Sequence, residues 1–214
     1  MPTKNKIYQL YLELRQKYGP AEKFWPQWCF AKKTIREREL IAIGAILTQR
    51  TSWHNADLAL RNLKKEGLLS LQKIANLSNP EQLTGPIKPA GFYQTKPQRL
   101  FDFCSFAVNE YGTLENLMEE ILEISRQKLL DLKGIGPETA DTLLLYALDQ
   151  PSFVVDEYTK RLVKQRKLAT NLAYDYLKNL FEKNLPRNVK IYQNFHALII
   201  IEEKGKAGSV MQEV

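Results

Sequence analysis

The chain has 214 residues, of which 44% are hydrophobic, so it can bury a core without a disulfide or metal staple. Its 31 Lys and Arg against 24 Asp and Glu leave a formal charge of +7, which favours a polyanionic partner such as nucleic acid. Two cysteines exclude a disulfide framework, and no apolar run approaches the roughly 18 residues that span a bilayer. We therefore expect a cytoplasmic protein with no membrane partner.

Apolar residues recur at helical spacing along most of the chain, and no run shows sustained strand alternation. The first such run, 38–47, is apolar nearly all round, which predicts a helix buried on most sides. The later predicted helices lie, in chain order, at 55–66, 69–75, 96–111, 114–120, 126–132, 138–148, 158–168, 172–184 and 190–203. Connections rich in helix-stopping residues separate them at 78–80, 85–89, 149–151 and 185–187. The sequence predicts an all-α fold.

Two glycines flank one apolar residue in Lys133-Gly-Ile-Gly-Pro-Glu138, between two predicted helices. Pro137 and Glu138 both suit the first turn of the second helix. Glycine allows close backbone approach, and N–H groups at a helix start attract phosphate, so a sequence-independent grip on a DNA backbone would lie here. For an isolated Gly-x-Gly the alternative is an ordinary helix-helix turn, since Gly is the usual helix terminator.

Asp156 follows the apolar stretch Phe153-Val-Val155 and precedes Glu157-Tyr-Thr-Lys-Arg161, so a buried segment meets a helix start at this carboxylate. In isolation, such an aspartate is typical of a helix N-cap. A catalytic role is compatible with capping, because N–H donors hold a capping carboxylate rigid and ionised.

Leu132-Lys-Gly-Ile-Gly-Pro-Glu-Thr-Ala-Asp141, followed by Val154-Val-Asp-Glu-Tyr-Thr-Lys-Arg161, resembles the helix-hairpin-helix and the Gly/Pro-plus-Asp loop of one family. That family is the endonuclease III superfamily of DNA base-excision glycosylases. Ile46-Leu-Thr-Gln-Arg-Thr-Ser-Trp53 and Pro89-Ala-Gly-Phe-Tyr-Gln-Thr-Lys96 are similar to its DNA-wedging and pocket regions. The resemblance covers about 41–162.

The resemblance implies two helical lobes with a cleft between them. Residues 37–145 would form a six-helix barrel that carries the helix-hairpin-helix motif at about 126–148, and 1–36 with 146–214 would form the second lobe. The implied partner is double-stranded DNA containing a damaged base, bound by a monomer that is nucleoid-associated while on DNA.

The implied reaction flips a damaged nucleotide out of the duplex and hydrolyses its N-glycosidic bond through a sugar with oxocarbenium character. By resemblance Asp156 is catalytic, stabilising the developing cation. Family members that also cut the strand carry a lysine two residues after the second hairpin glycine, where its amine forms a Schiff base. Glu138 stands there in this chain, which implies a monofunctional glycosylase.

Many relatives end in a four-cysteine loop that holds an iron-sulfur cluster, and this chain has no cysteine after Cys104. We therefore expect no iron-sulfur cluster, no other cofactor and no bound metal. Cys29 and Cys104 have apolar neighbours, which predicts that both are core residues.

The missing lysine and cluster, together with Phe24-Trp-Pro-Gln-Trp28, make the chain similar to the endonuclease-III-type 3-methyladenine glycosylases. An alkylated purine carries positive charge, which suits the electron-rich face of an indole. Trp53 and Trp25 are candidate walls of the base pocket, although tryptophans are more often core residues or surface anchors.

The candidate DNA contacts in the hairpin are Lys133, Gly134, Ile135, Gly136 and Thr139. Gln49, four residues and so one helical turn before Trp53, would fill the gap left by the flipped base, unless it is a helix-end glutamine in water. Phe92 would wedge beside the orphaned base, and its alternative is a loop aromatic folded into the core.

Three residues are expected to have no catalytic role. Lys133 and Lys160 are expected to be phosphate contacts or solvated charges, and His196, on an apolar helix, is expected to be structural.

Two other functions of the protein stay open. One is a bifunctional glycosylase/AP lyase for oxidised bases that uses a lysine elsewhere. The other is a non-catalytic helix-hairpin-helix DNA-binding module, which would not need Asp156.

Overall fold

The computed structural model describes residues 5–29 and 32–205, and within these ranges the chain forms helices and turns without any strand. The predicted all-α class is confirmed. The α-helices of the described residues are α1 (Lys6–Tyr18), α2 (Pro26–Cys29), α3 (Ile35–Leu47), α4 (Trp53–Lys65), α5 (Leu71–Ala75), α6 (Thr84–Ile87), α7 (Lys96–Phe106), α8 (Leu114–Met118), α9 (Leu122–Asp131), α10 (Pro137–Thr142), α11 (Glu157–Gln165), α12 (Tyr174–Asn184) and α13 (Val189–Lys204).

Other helical turns complete the described chain. Short 3₁₀ segments lie at Ala21–Lys23, Pro80–Leu83 and Lys88–Ala90, and π-helical segments lie at Ala107–Tyr111 and Leu143–Ala147. In the part of the chain that is described, no helix is both long and apolar enough to cross a membrane.

Each of the predicted helices is present, with its ends shifted by a few residues. The sequence patterns missed α1, although its buried residues Ile7, Leu10, Tyr11 and Leu14 have the spacing of an amphipathic helix. The predicted connection at 85–89 is helical, because α6 runs through Pro86 and a 3₁₀ turn follows it.

The chain divides into two compact units. Of the described residues, 5–29 and 151–205 form the terminal unit, and 32–150 form the middle unit. The predicted lobe boundaries and the predicted cleft stay predictions.

Helix α3 is the centre of the middle unit, as its apolar composition predicts. Residues 41–47 are all buried, and α3 packs against α4, α7, α8, α10 and the π-helical segment after α10. A capping box starts the helix, since Glu37 N donates to Thr34 Oγ1 and Thr34 N donates to Glu37 Oε2. Each fully buried Ile or Leu contributes about 1.5–3 kcal/mol, so this helix anchors the unit.

Helix α13 is the centre of the terminal unit, as α3 is of the middle unit. Residues 192–201 are all buried, and α13 packs against α1, α2 and α11. Its Phe195 belongs to an aromatic cluster in which the Phe153 and Phe181 rings stack with centroids 4.4 Å apart. The cluster holds Phe153, three residues before Asp156, in the core of this unit.

A buried charge cluster lies near both ends of the middle unit's chain. Asp149 accepts Lys33 Nζ at 2.6 Å and Arg38 Nη2 at 2.7 Å. Arg38 also donates to the carbonyl oxygen of Ala147 at 2.7 Å, and the side chain of Lys33 is 0% exposed. The cluster fixes the segment after the π-helix next to the start of α3.

Replacing Asp149 by Asn tests this cluster. The variant leaves two buried cations without their anion, so we expect the free energy of unfolding to fall by about 3 kcal/mol. Asn tolerates the left-handed backbone of this residue, at φ +47°, so added strain is avoided. Urea denaturation measures the change. Glu110→Gln, which breaks an exposed pair with Lys128, should cost at most about 1 kcal/mol. An equal loss in both variants would contradict the account.

Candidate functional site

The glycine hairpin between α9 and α10 has the geometry that its sequence predicts. Gly134 has a φ of +86°, in the region that favours glycine, and Ile135 N donates to the carbonyl oxygen of Leu132 at 3.0 Å. Within the described part of the chain, the N–H groups of Gly134 and Gly136 donate no hydrogen bond. Two exposed backbone donors therefore remain for an anionic ligand.

Two interactions make the hairpin rigid. Ile135 is only 4% exposed, so its side chain anchors the turn in the core. This placement favours an anchoring role for Ile135 over the direct DNA contact proposed for it. Arg126 on α9 forms a bidentate pair with the buried Asp141 on α10, at 2.9 and 3.1 Å, which joins the two helices on either side of the turn.

The amide of Gln49 bridges the hairpin and α7. Its Nε2 donates to the carbonyl oxygen of Gly134 and to Thr139 Oγ1, both at 3.0 Å. Its Oε1 accepts from Arg99 Nη1 at 2.9 Å. The side chain proposed as a gap filler is therefore held against the glycine hairpin.

The helical spacing assumed between Gln49 and Trp53 is wrong. Gln49 lies in the turn between α3 and α4, because Arg50 has a φ of +53° and Ser52 caps a new helix by accepting from Asn55 N at 3.3 Å. The two side chains therefore do not share a helix.

Phe92 projects from the loop before α7. Phe92 is 50% exposed, so it is not the core aromatic that the alternative prediction describes. Its φ of +48° is unusual for a bulky residue. The preceding residue, Gly91, also has a positive φ. Strained backbone of this kind is found most often at functional sites, which supports the wedge proposal.

Lys96 is a buried amine that joins two of these segments. Its side chain is fully buried, and its Nζ donates to the carbonyl oxygens of Leu47 at 2.8 Å and Ala90 at 2.7 Å. Leu47 ends α3 just before Gln49, and Ala90 lies just before the Phe92 loop. Burial, with the nearby Arg99 charge, lowers the pKa of Lys96 to about 8.

The two candidate pocket tryptophans lie in different units. Trp53 is the first residue of α4, in the middle unit, and is partly buried. Trp25 precedes α2, in the terminal unit, and is also partly buried, with its ring 6.4 Å from that of Trp28. Neither is a fully buried core residue.

Asp156 caps helix α11, as its position predicts. Its Oδ1 accepts from Thr159 N at 2.7 Å and from Thr159 Oγ1 at 2.9 Å. Residues 152–155 before it are each at most 1% exposed, and Phe153 N donates to Glu182 Oε1 at 2.8 Å. A buried segment and a helix start thus fix this carboxylate from both sides.

His196 on α13 approaches the second oxygen of Asp156. The distance from His196 Nε2 to Asp156 Oδ2 is 3.5 Å, and both residues are buried. Burial opposes ionisation of Asp156, but His196 and the two hydrogen bonds from Thr159 outweigh it, so the pKa of Asp156 lies below its ordinary value. The structural role expected for His196 therefore includes a contact with the candidate catalytic group.

The charged residues around these motifs have separate settings. Lys133 and Glu138 are exposed, one on each side of the hairpin glycines. Lys160 Nζ pairs with Glu157 Oε1 at 2.7 Å, so its charge is partly satisfied within α11. Nothing in this arrangement gives Lys160 the place of the family's lysine.

Among the described residues, no three His, Cys, Asp or Glu side chains lie close enough together to hold a metal ion. Cys29 and Cys104 are both buried, as expected, and belong to different units. With two cysteines in the sequence, the residues present do not fit a four-thiolate iron-sulfur cluster.

Three residues that contact candidate functional side chains or segments, two in the middle unit and one in the terminal unit, are not evident from sequence. Arg99 and Lys96 contact segments that are distant in the chain, and His196 meets Asp156 across forty positions. The burial of Lys96 could have been predicted, since this lysine stands in the Pro89–Lys96 motif at the start of a helix that is otherwise apolar on its inner face. For Arg99 the sequence holds no comparable signal.

Comparison with known proteins places these features in one family. Residues 43–187 match the family described as HhH-GPD superfamily base excision DNA repair protein. A protein of Methanocaldococcus jannaschii, provisionally named a DNA repair glycosylase, is 43% identical over 197 residues, which cover 91% of this chain and 85% of that protein. The chain therefore belongs to the HhH-GPD superfamily, and the predicted family is confirmed.

Solved structures share the fold. The crystal structure of a Helicobacter pylori 3-methyladenine DNA glycosylase bound to 1,N6-ethenoadenine is 28% identical, with a TM-score of 0.79, and the match covers 97% of this chain and 99% of that one. Endonuclease III in a non-covalent complex with DNA has a TM-score of 0.69 at 17% identity, over 94% of this chain and 85% of that one.

The buried amine of Lys96 predicts a pH dependence of stability. Because its pKa falls from 10.5 to about 8 on folding, the unfolded chain binds more protons between these values, and the free energy of unfolding rises with pH across that window. We expect Lys96→Met to lose this rise, measured by urea denaturation from pH 7 to 11. Lys65→Met, at an exposed lysine, should keep it. A rise that survives in Lys96→Met would refute this assignment.

Proposed function

We propose that this base-excision repair protein is a monofunctional DNA N-glycosylase that removes alkylated purines from double-stranded DNA. Asp156 is the catalytic carboxylate in this proposal. The observation that carries it is the setting of Asp156, which is buried, rigid and favoured in its ionised form.

The contacts of Asp156 favour an electrostatic role over that of a proton acceptor. Donors from Thr159 engage one oxygen, and His196 lies beside the other. A carboxylate with a lowered pKa is a weak base, but it stabilises positive charge on a sugar without reorganisation. The proposed step is cleavage of the N-glycosidic bond with the developing cation beside this fixed anion.

An alkylated purine fits such a site. Alkylation gives the base a positive charge, so it leaves as a neutral species and needs no strong general acid. Indole faces suit a cationic base, and Trp53 in the middle unit and Trp25 in the terminal unit stay candidate contacts of the base, each taken by itself. The similarity to a glycosylase named for 3-methyladenine supports this substrate class.

The proposed DNA grip is the hairpin. Its exposed Lys133 and the N–H groups of Gly134 and Gly136 would bind backbone phosphates, with Thr139 on the following helix. Phe92, exposed and strained, would wedge into the duplex. These contacts position the duplex without reading its sequence. We also propose that the enzyme works without an iron-sulfur cluster.

Replacing Asp156 by Asn tests the mechanism. Asn is also a good N-cap, so helix α11 should keep its start while the negative charge is lost. We expect the single-turnover rate of 3-methyladenine release to fall about 10²–10³-fold, with unchanged affinity for undamaged duplex.

Glu157→Gln is the matched control, because it removes an exposed carboxylate from the neighbouring residue. Its rate of base release should match the wild type. Base release by Asp156→Asn at the wild-type rate would overturn the mechanism, and a wild type that binds duplex but releases no base would favour the non-catalytic module.

Position 138 tests the monofunctional assignment. A Schiff base needs an amine, and Glu138 offers a carboxylate, so borohydride should trap no covalent adduct between the wild type and abasic DNA. Glu138→Lys places an amine on the exposed first turn of α10 and should yield a trapped adduct. An adduct with the wild type would instead establish the bifunctional glycosylase/lyase.

A further inference from the structure

The side chain of Arg99 lies on the hairpin backbone. Gly134 is where the two meet: a Cβ added to this glycine would lie 2.6 Å from Arg99 Cδ and 2.9 Å from Cγ, which is closer than real Cβ atoms approach. The aliphatic arm of Arg99 thus runs across Gly134, where the turn has no side chain in its way. Arg99 brings a positive charge from α7 to the turn between α9 and α10.

Among the described residues, the guanidinium of Arg99 has no anionic partner. Its single hydrogen bond, among the residues described, goes from Nη1 to Gln49 Oε1, and no carboxylate in that part of the chain pairs with it. Arg38 and Arg126 contrast with it, since both are bonded to aspartates. Guanidinium has five N–H donors, so Arg99 keeps four for another acceptor at a partly exposed position.

Gln49 fixes the direction of this group. Its amide bonds the carbonyl oxygen of Gly134 and Thr139 Oγ1 on one side and Arg99 on the other. The side chain of Arg99 is thereby held beside Gly134, whose N–H donates no hydrogen bond to any described residue.

We propose that Arg99 is a phosphate-binding residue of the hairpin, which clamps a DNA backbone phosphate together with the hairpin N–H groups. The inference rests on the proposed function in taking DNA as the polyanion. A forked, always charged guanidinium matches phosphate geometry. The site would add affinity without sequence preference.

Salt dependence of binding to undamaged duplex tests the assignment. Arg99→Met keeps an aliphatic arm over Gly134 and removes the charge. We expect its affinity to fall about tenfold at low salt and the slope of log K against log salt to become shallower by about 0.9, the value for one phosphate contact. Arg99→Lys keeps the charge and should retain most of the wild-type slope.

Arg36→Met is the matched control, since Arg36 is exposed near the opposite end of α3 from Gln49 and its loss changes the net charge equally. Its slope should equal the wild-type slope. An unchanged slope in Arg99→Met, or an equal change in Arg36→Met, would overturn the proposal. If Arg99→Met does not fold, as judged by circular dichroism, Arg99→Gln takes its place with the same expected slope.

This experiment separates the two proposals because it involves no chemistry. A wild type that binds duplex with an Arg99-dependent slope but excises no base would remove the proposed activity and leave the phosphate site intact. A wild type that excises 3-methyladenine while Arg99→Met keeps the wild-type slope would overturn the phosphate site and leave the proposed activity intact.

Discussion

Polar groups taken out of water must find partners, and this constraint shapes the terminal unit around Asp156. Phe181 on α12 and Phe195 on α13 pack against Phe153, which is buried with the two valines that follow it, so the next residue is buried with them. Thr159 and His196 then supply the contacts that a buried carboxylate needs. The contacts that offset the cost of burying Asp156 also favour its ionised form, which is the property that our mechanism requires.

The middle unit meets the same constraint with different groups. The Lys96 amine is satisfied by two carbonyl oxygens, and the Gln49 amide by the hairpin and Arg99, so three segments carrying proposed DNA contacts are tied together. The arrangement opposes the role of Gln49 as a gap filler. Insertion of Gln49 into a duplex requires it to leave three hydrogen bonds, so its role as a gap filler competes with its role in positioning the hairpin.

The features that sequence predicts well are local ones. The hairpin of Gly134 and Gly136 and the cap at Asp156 each depend on a few consecutive residues, and helix α3 is evident from its apolar run. The contacts of Arg99 and Lys96 depend on tertiary packing, which composition and periodicity do not encode. The error at Gln49 has a local cause, because the left-handed Arg50 ends helical geometry where spacing alone suggested continuity.

The proposed mechanism requires the fold to hold Asp156 as an anion that can stabilise positive charge. An NMR titration of the Asp156 side-chain carboxyl carbon in the free protein measures this directly. We expect a midpoint below 3.8, the ordinary aspartate pKa, because His196 and Thr159 outweigh the effect of burial. A midpoint at or above 3.8 would show that burial dominates, and would contradict the electrostatic role assigned to Asp156.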